Sequence, residues 1–180
     1  MPKMQLVKAM NNSNLARLNT DDLARQSFEQ LQFLQVTAVV LGLGSNFQAE
    51  YYLPQVRKSL VKLGQIRLST AFENPDITAT QERPKPNYIN QCVHLVLNES
   101  TTLIQLRQGL KKLEDQCGRQ RETNESSSKQ VTIDIDILSV KLENNQNSLS
   151  DKMHNWTIIT ERFPFADHEK IGVEELGIII

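Results

Sequence analysis

The sequence predicts an α+β protein: a ferredoxin-like βαββαβ sandwich with an N-terminal extension and a short C-terminal helix. Three observations lead there. Four short segments have strand character, two segments between them carry apolar residues at helical spacing, and together they run in the order β-α-β-β-α-β. Two βαβ halves in that order make a four-stranded antiparallel sheet with both helices on one face.

The first predicted strand, Thr37 to Asn46, is an apolar run that enters a Gly-containing turn. Leu53, Val56, Leu60 and Leu63 then recur at helical spacing, and Gly64 is placed as the cap that ends the helix. Ile66–Phe72 is the second strand. Asn74–Asn87 contains Pro75, Pro84 and Pro86, which lack backbone donors, so it reads as a loop. Tyr88–Leu97 is the third strand. Thr102 and Gln105 form a capping box that opens the second helix, whose stripe is Leu103, Leu106, Leu110, Leu113 and Cys117; Gly118 ends it. Glu122–Gln130 and Asn144–Ser150 are polar segments without an apolar anchor and read as loops. Val131–Val140 is the fourth strand, and a short helix is expected near His168–Leu176.

At 180 residues the chain fits one domain with a substantial core. Its 20 Lys and Arg balance 21 Asp and Glu, which gives no support to a general nucleic-acid or membrane-surface binder. No apolar run approaches the ~20 residues of a membrane span. Two cysteines exclude a disulfide framework and a four-Cys zinc site, and the three histidines lack metal-ligand spacing. The expectation is a cytoplasmic, monomeric protein whose partners are small molecules, with neither nucleic acid nor membrane among them.

Residues 1–36 differ in texture. They lack the continuous apolar core of a signal peptide. Leu23, Phe28, Leu31 and Leu34 fall on a helical stripe that Asp21 and Asp22 suit as a start. One reading is a flexible or loosely docked extension, the other a helix that packs on a partner. The expected domain is 37–180.

Chemistry concentrates in Thr132-Ile133-Asp134-Ile135-Asp136-Ile137. Strand side chains alternate, so Asp134 and Asp136 share one face, with Cα atoms ~7 Å apart. Unpaired carboxylates this close repel, and a hard divalent cation relieves the repulsion. A solvated strand face is the plain alternative. Just upstream, Gly118-Arg119-Gln120-Arg121 places two cations beside the carboxylates, the pairing a nucleoside triphosphate site needs. These arginines otherwise neutralise Glu114, Asp115 or Glu122. Leu43-Gly44-Ser45-Asn46 is either a tight strand exit or a phosphate cradle, and it lacks the Lys and spacing of a Walker motif. Tyr88 and Asn90 lie on one strand face, where a ring and an amide suit a flat heterocycle or simply decorate the sheet.

Taken together, these segments resemble the 6-hydroxymethyl-7,8-dihydropterin pyrophosphokinases of folate biosynthesis. The resemblance runs from Ala38 to Leu138 and more faintly to Ile171. It rests on Leu-Gly-Ser-Asn, on Asn-Tyr-Ile-Asn, on Leu-Glu-Asp-Gln-Cys-Gly-Arg-Gln-Arg and on Thr-Ile-Asp-Ile-Asp-Ile-Leu. It implies an ATP-dependent diphosphokinase that transfers pyrophosphate from ATP to the hydroxymethyl group of a reduced pterin and releases AMP. Asp134 and Asp136 would bind two Mg²⁺ ions. Arg119 and Arg121 would act with these acids in catalysis and hold ATP together with Glu114, Lys129, Ile137 and Arg162. Asn74, Pro75, Ile77, Tyr88 and Asn90 would bind the pterin, and Phe163 or Phe165 would close the other side of its ring. The chain departs from the family where a catalytic loop usually reads Arg-Trp-Gly-Pro-Arg. Here Ser126-Ser127-Ser128-Lys129-Gln130-Val131 stands instead, and Lys129 lacks the planar fork of Arg. The expected alternatives are therefore a working but slow enzyme, a divergent paralogue that binds a pterin or nucleotide with weak or altered transferase activity, and a non-catalytic partner protein. Downstream, His154 and Arg162 are the candidates for the family's His and Arg.

Overall fold

The computed structural model describes residues 24–76, 79–82, 84–120, 130–143 and 156–178. The elements are β1 (Ala24–Gln26), α1 (Phe28–Leu31), β2 (Gln35–Ser45), α2 (Ala49–Leu63), β3 (Gly64–Leu68), β4 (Phe72–Asn74), β5 (Tyr88–Thr102), α3 (Leu103–Gln116), β6 (Asp134–Leu142), β7 (Trp156–Ile159) and α4 (Asp167–Glu175), with a 3-10 turn at Thr160–Arg162. The inner strands lie in the order β6-β2-β5-β3, all antiparallel, which is the ferredoxin-like arrangement. No helix among the described residues is long and apolar enough to cross a membrane.

The sheet is wider than the four strands expected: among the described residues it has seven. β7 pairs antiparallel with β6 along Ser139–Lys141, and β1 pairs parallel with β7. β4 pairs with the start of β5. The second predicted strand, Ile66–Phe72, splits because Thr70 turns its N–H to the Glu175 carboxylate at 2.6 Å instead of to a neighbouring strand.

The boundary at residue 37 also needs correction. Leu31 and Val36 are fully buried in the main core, so Ala24–Val36 belongs to the domain rather than to a loose extension. The expected helical stripe is mostly absent: Ala24–Gln26 is extended, and only Phe28–Leu31 is helical. A strand beside β7 satisfies more backbone groups than an isolated short helix does. Residues 1–23 lie outside the described residues.

One face of the sheet carries α2 and α3. Leu53, Val56 and Leu60 of α2 and Leu103, Leu106, Leu110 and Leu113 of α3 meet Val39, Leu41, Leu43, Val93, Leu95, Ile135 and Ile137. The capping box of α3 is present: the Thr102 hydroxyl accepts from the Gln105 N–H, and Gln105 Oε1 accepts from the Thr102 N–H. Gly64 ends α2 as expected, but for a different reason. Its backbone is extended, and a Cβ there would lie 1.9 Å from the Val96 carbonyl oxygen.

The opposite face carries α4 over only part of its area. Val40, Cys92 and Leu138 pack there against Phe165, Val173 and Leu176. The close approach occurs at Gly172, where a Cβ would stand 2.7 Å from Cys92 Sγ and 2.9 Å from its Cβ. Gly172→Ala is expected to destabilise the fold by about 1–3 kcal/mol through overpacking. A denaturant titration measures this, and adding Cys92→Ala should recover part of the loss.

Candidate active site

Beside α4 on that second face, several of the predicted residues gather. Gly42 pairs with Asp136 on one side and Cys92 on the other; Gly44 pairs with Asp134 and Asn90. Asp134, Asp136, Tyr88 and Asn90 therefore share one face, while Ile135 and Ile137 point into the core. The glycines make the floor between them. A Cβ at Gly44 would stand 3.0 Å from Asn90 Oδ1 and 3.7 Å from the Tyr88 ring, and one at Gly42 would stand 3.4 Å from Glu169 Oε1. Leu43-Gly44-Ser45-Asn46 is a strand end rather than a cradle. The buried Ser45 hydroxyl donates to the Val131 carbonyl at 3.2 Å, and Asn46 Oδ1 accepts the Val131 N–H at 2.6 Å. These bonds hold the chain just before Asp134, so β6 begins three residues later than the expected Val131.

Two guanidinium groups flank the carboxylates. Gly118 adopts φ +72°, which turns the chain off the end of α3 and brings Arg119 beside β6. Arg119 Nη2 lies 3.6 Å from Asp134 Oδ1, and its side chain is only 7% exposed. Arg162 Nη2 bridges Asp136 Oδ2 at 3.1 Å and Glu169 Oε1 at 2.8 Å. Glu169 is buried, and its other oxygen accepts the Ala166 N–H at 2.8 Å, so α4 starts against this bridge. Arg119 Nε and Arg162 Nε are buried without hydrogen-bond partners. Burial raises the Asp136 pKa; Arg162 opposes this, while Asp134 and Glu169 add to it. Burial likewise raises the Tyr88 phenol, with Asp76 adding and Arg119 opposing.

Two cavities meet at this charged centre. The larger, of about 840 Å³, has Gly42 and Gly44 as floor, Asn74, Pro75, Tyr88 and Asn90 on one side, and His168 and Glu169 on the other. Asn74 Nδ2 is buried there without a partner. The smaller, of about 440 Å³, lies beside β6 among Phe28, Arg107, Leu110, Lys111, Glu114, Ile137 and Ile159. Asp134, Asp136 and Arg162 line both. β7 pairs only from Ser139 onward, so no described strand lies beside Asp134–Ile137 on that side.

Several expectations need adjusting. Glu114 lines the smaller cavity, but its Oε1 accepts the Ile135 N–H at 2.7 Å, so it also positions β6. Phe163 and Phe165 do not reach the larger cavity. Phe165 is buried in the core under α4, and Phe163 lies beneath the Arg25 guanidinium, 3.7 Å from its ring centre. Their side chains follow the apolar contacts available after the 3-10 turn. Arg121, Lys129, Ile77, His154 and Ser126–Ser128 lie outside the described residues. Sequence reading missed the glycine floor, Glu169 and His168. The Gly-Leu-Gly alternation signals a strand face without side chains; Glu169 carries no local signal, because its partner Arg162 is seven residues away.

A carboxylate pair between two guanidinium groups, set where two cavities join, can hold a polyphosphate with its divalent cation beside a flat acceptor. Comparison with family models is consistent with this: the model for 7,8-dihydro-6-hydroxymethylpterin-pyrophosphokinase (HPPK) matches residues 40–161. The chain belongs to this family. No curated protein matches the sequence.

Proposed function

We propose that the protein transfers pyrophosphate from ATP to the hydroxymethyl group of 6-hydroxymethyl-7,8-dihydropterin. The substrate hydroxyl oxygen attacks the β-phosphorus, the bond from that phosphorus to the oxygen bridging the α-phosphorus breaks, the hydroxyl proton is lost, and AMP leaves. The observation that carries the reading is the meeting of the two cavities at Asp134, Asp136 and Arg162. One cavity has the ring and amides that suit a pterin; the other has cations and a strand edge that no described strand pairs, which suit a nucleotide.

The residues present fit Mg²⁺. Among the described residues no three His, Cys, Asp or Glu form a metal-binding group. A pair of carboxylates is nonetheless what Mg²⁺ uses when substrate phosphates and water complete its shell. Asp134 and Asp136 would hold the ion, which would supply positive charge to the triphosphate. Arg119 and Arg162 add guanidinium charge where negative charge develops on the phosphates. Tyr88 offers its ring face to the pterin, and Asn74 and Asn90 offer amide groups to its edge.

The direct test is AMP release from ATP, Mg²⁺ and the reduced hydroxymethylpterin. Pterin and ATP binding without AMP release would instead identify a divergent paralogue, the reading that the Ser-rich sequence at Ser126–Ser128 favours. Tyr88→Ala is expected to weaken pterin binding about tenfold and to leave ATP binding unchanged, because stacking acts only on the ring substrate. Calorimetry with each ligand checks it, and equal losses for both would make Tyr88 structural.

A further inference from the structure

The wall of the smaller cavity includes a part of the chain that lies outside the family match. Phe28 precedes residues 40–161, yet it lines this cavity with Ile137 and Lys111. Three contacts hold it there. β1 runs beside β7 and delivers the chain to Ser27. The Phe28 N–H donates to both oxygens of Glu161, at 3.0 and 3.2 Å. The Arg107 guanidinium of α3 stacks on the Phe28 ring, 4.3 Å from its centre. Leu31, buried in the core, anchors the end of the short helix.

The fixed ring and guanidinium line the cavity together with Ile135 and Ile137 of β6, beside which no described strand pairs on that side. Ile135 turns its N–H out of the sheet to Glu114, and Ile137, two residues on, presents its backbone to the same side. A flat base between them would meet an aromatic and cationic surface on one side and backbone groups at its edge. Phosphates extending from it would reach Arg162 and the carboxylates, which line the same cavity.

We propose that the β1–α1 segment forms the outer wall of the nucleotide site, with Phe28, backed by Arg107, as the surface on which a purine ring stacks. This inference rests on the proposed use of the smaller cavity for ATP. Phe28 and Glu29, which precede the family match, belong to this wall, so base affinity is set in part by this added segment.

The test uses the full chain and two variants, Phe28→Ala and Phe28→Trp. Calorimetry with Mg²⁺ measures ATP and inorganic tripolyphosphate, which has the phosphates but no base, and AMP release is followed against ATP concentration. Phe28→Ala is expected to weaken ATP binding about tenfold, the usual scale for losing one base-stacking ring. KM for ATP should rise more than kcat falls, tripolyphosphate binding should hold, and Phe28→Trp should restore ATP affinity. Unchanged ATP affinity in Phe28→Ala overturns the proposal, and so does an equal loss for tripolyphosphate, which would mark Phe28 as structural. The two readings fail separately. If the wild type releases AMP while Phe28→Ala behaves like it, the wall is wrong and the transfer stands. If ATP affinity depends on Phe28 but no AMP appears, the wall stands and the transfer is wrong.

Discussion

Asp134→Asn and Asp136→Asn are each expected to lower AMP release by about 10²–10³-fold or more, on the scale of removing a positioned electrostatic group. Mg²⁺-dependent ATP binding should fall with it. The fold should survive, because both side chains are partly exposed, 47% for Asp134 and 38% for Asp136, and neither packs in the core. The stability of Asp136→Asn carries a sign that tests the electrostatics separately. The folded-state pKa of Asp136 is raised, chiefly by burial, so the folded protein favours the protonated acid. Ionisation then costs stability as pH rises from the ordinary carboxylate value through the raised one. The amide does not titrate. Melting temperatures of variant and wild type should therefore coincide below the carboxylate range, and the variant should melt higher near neutral pH. A variant that melts lower at neutral pH, or one that keeps full turnover, would contradict the assignment.

Arg162→Ala is expected to damage both stability and turnover. Its guanidinium joins Asp136 to the buried Glu169, whose side chain is 7% exposed. Removing one partner leaves a buried carboxylate with a weakened set of contacts, at a cost of about 3 kcal/mol. The Ala166 N–H still donates to Glu169, so the start of α4 should loosen rather than unfold. Adding Glu169→Gln removes the stranded charge. The double variant should regain most of the lost stability in a urea titration while AMP release stays low, because the Arg162 guanidinium no longer reaches the phosphates. Recovery of turnover along with stability would reduce Arg162 to a structural tie.

The burial of a thiol in this region has a simpler consequence. Cys92 packs under α4, and burial with the nearby Glu169 and Glu175 carboxylates pushes its pKa up to about 12. It stays a neutral packing group at the edge of the cavity, and its proximity to the site gives it no nucleophilic role.

What could be read from the sequence follows local rules. The two-residue period of Asp134-Ile135-Asp136-Ile137 determines that the acids share one face and the isoleucines the other, whatever lies around them. The apolar stripes of α2 and α3, the capping box at Thr102 and the turn at Gly118 are equally local, and each is present except that Leu63, at the end of the α2 stripe, is exposed. Tyr88 and Asn90 share a face for the same reason. Family membership rides on these short motifs, because each couples residue type to fixed spacing.

Other features depend on what the chain meets after folding. Whether Gly64 serves a cap or a close contact was decided by the Val96 carbonyl on β5. Gly42 and Gly44 became the floor of a cavity only because β5 and β6 flank them with Asn90, Asp134 and Asp136. Phe165 went to the core and Phe163 under Arg25 because apolar and cationic partners were nearer there than the cavity. Ala24–Gln26 joined the sheet because β7 offered it an edge, and Phe28–Leu31 settled as a short helix where Glu161 had a carboxylate for the Phe28 N–H. The period of a strand or helix is set by the backbone and is written in neighbouring residues. The partner of a side chain is set by competition among all surfaces the fold brings near, and that competition has no local record in the sequence.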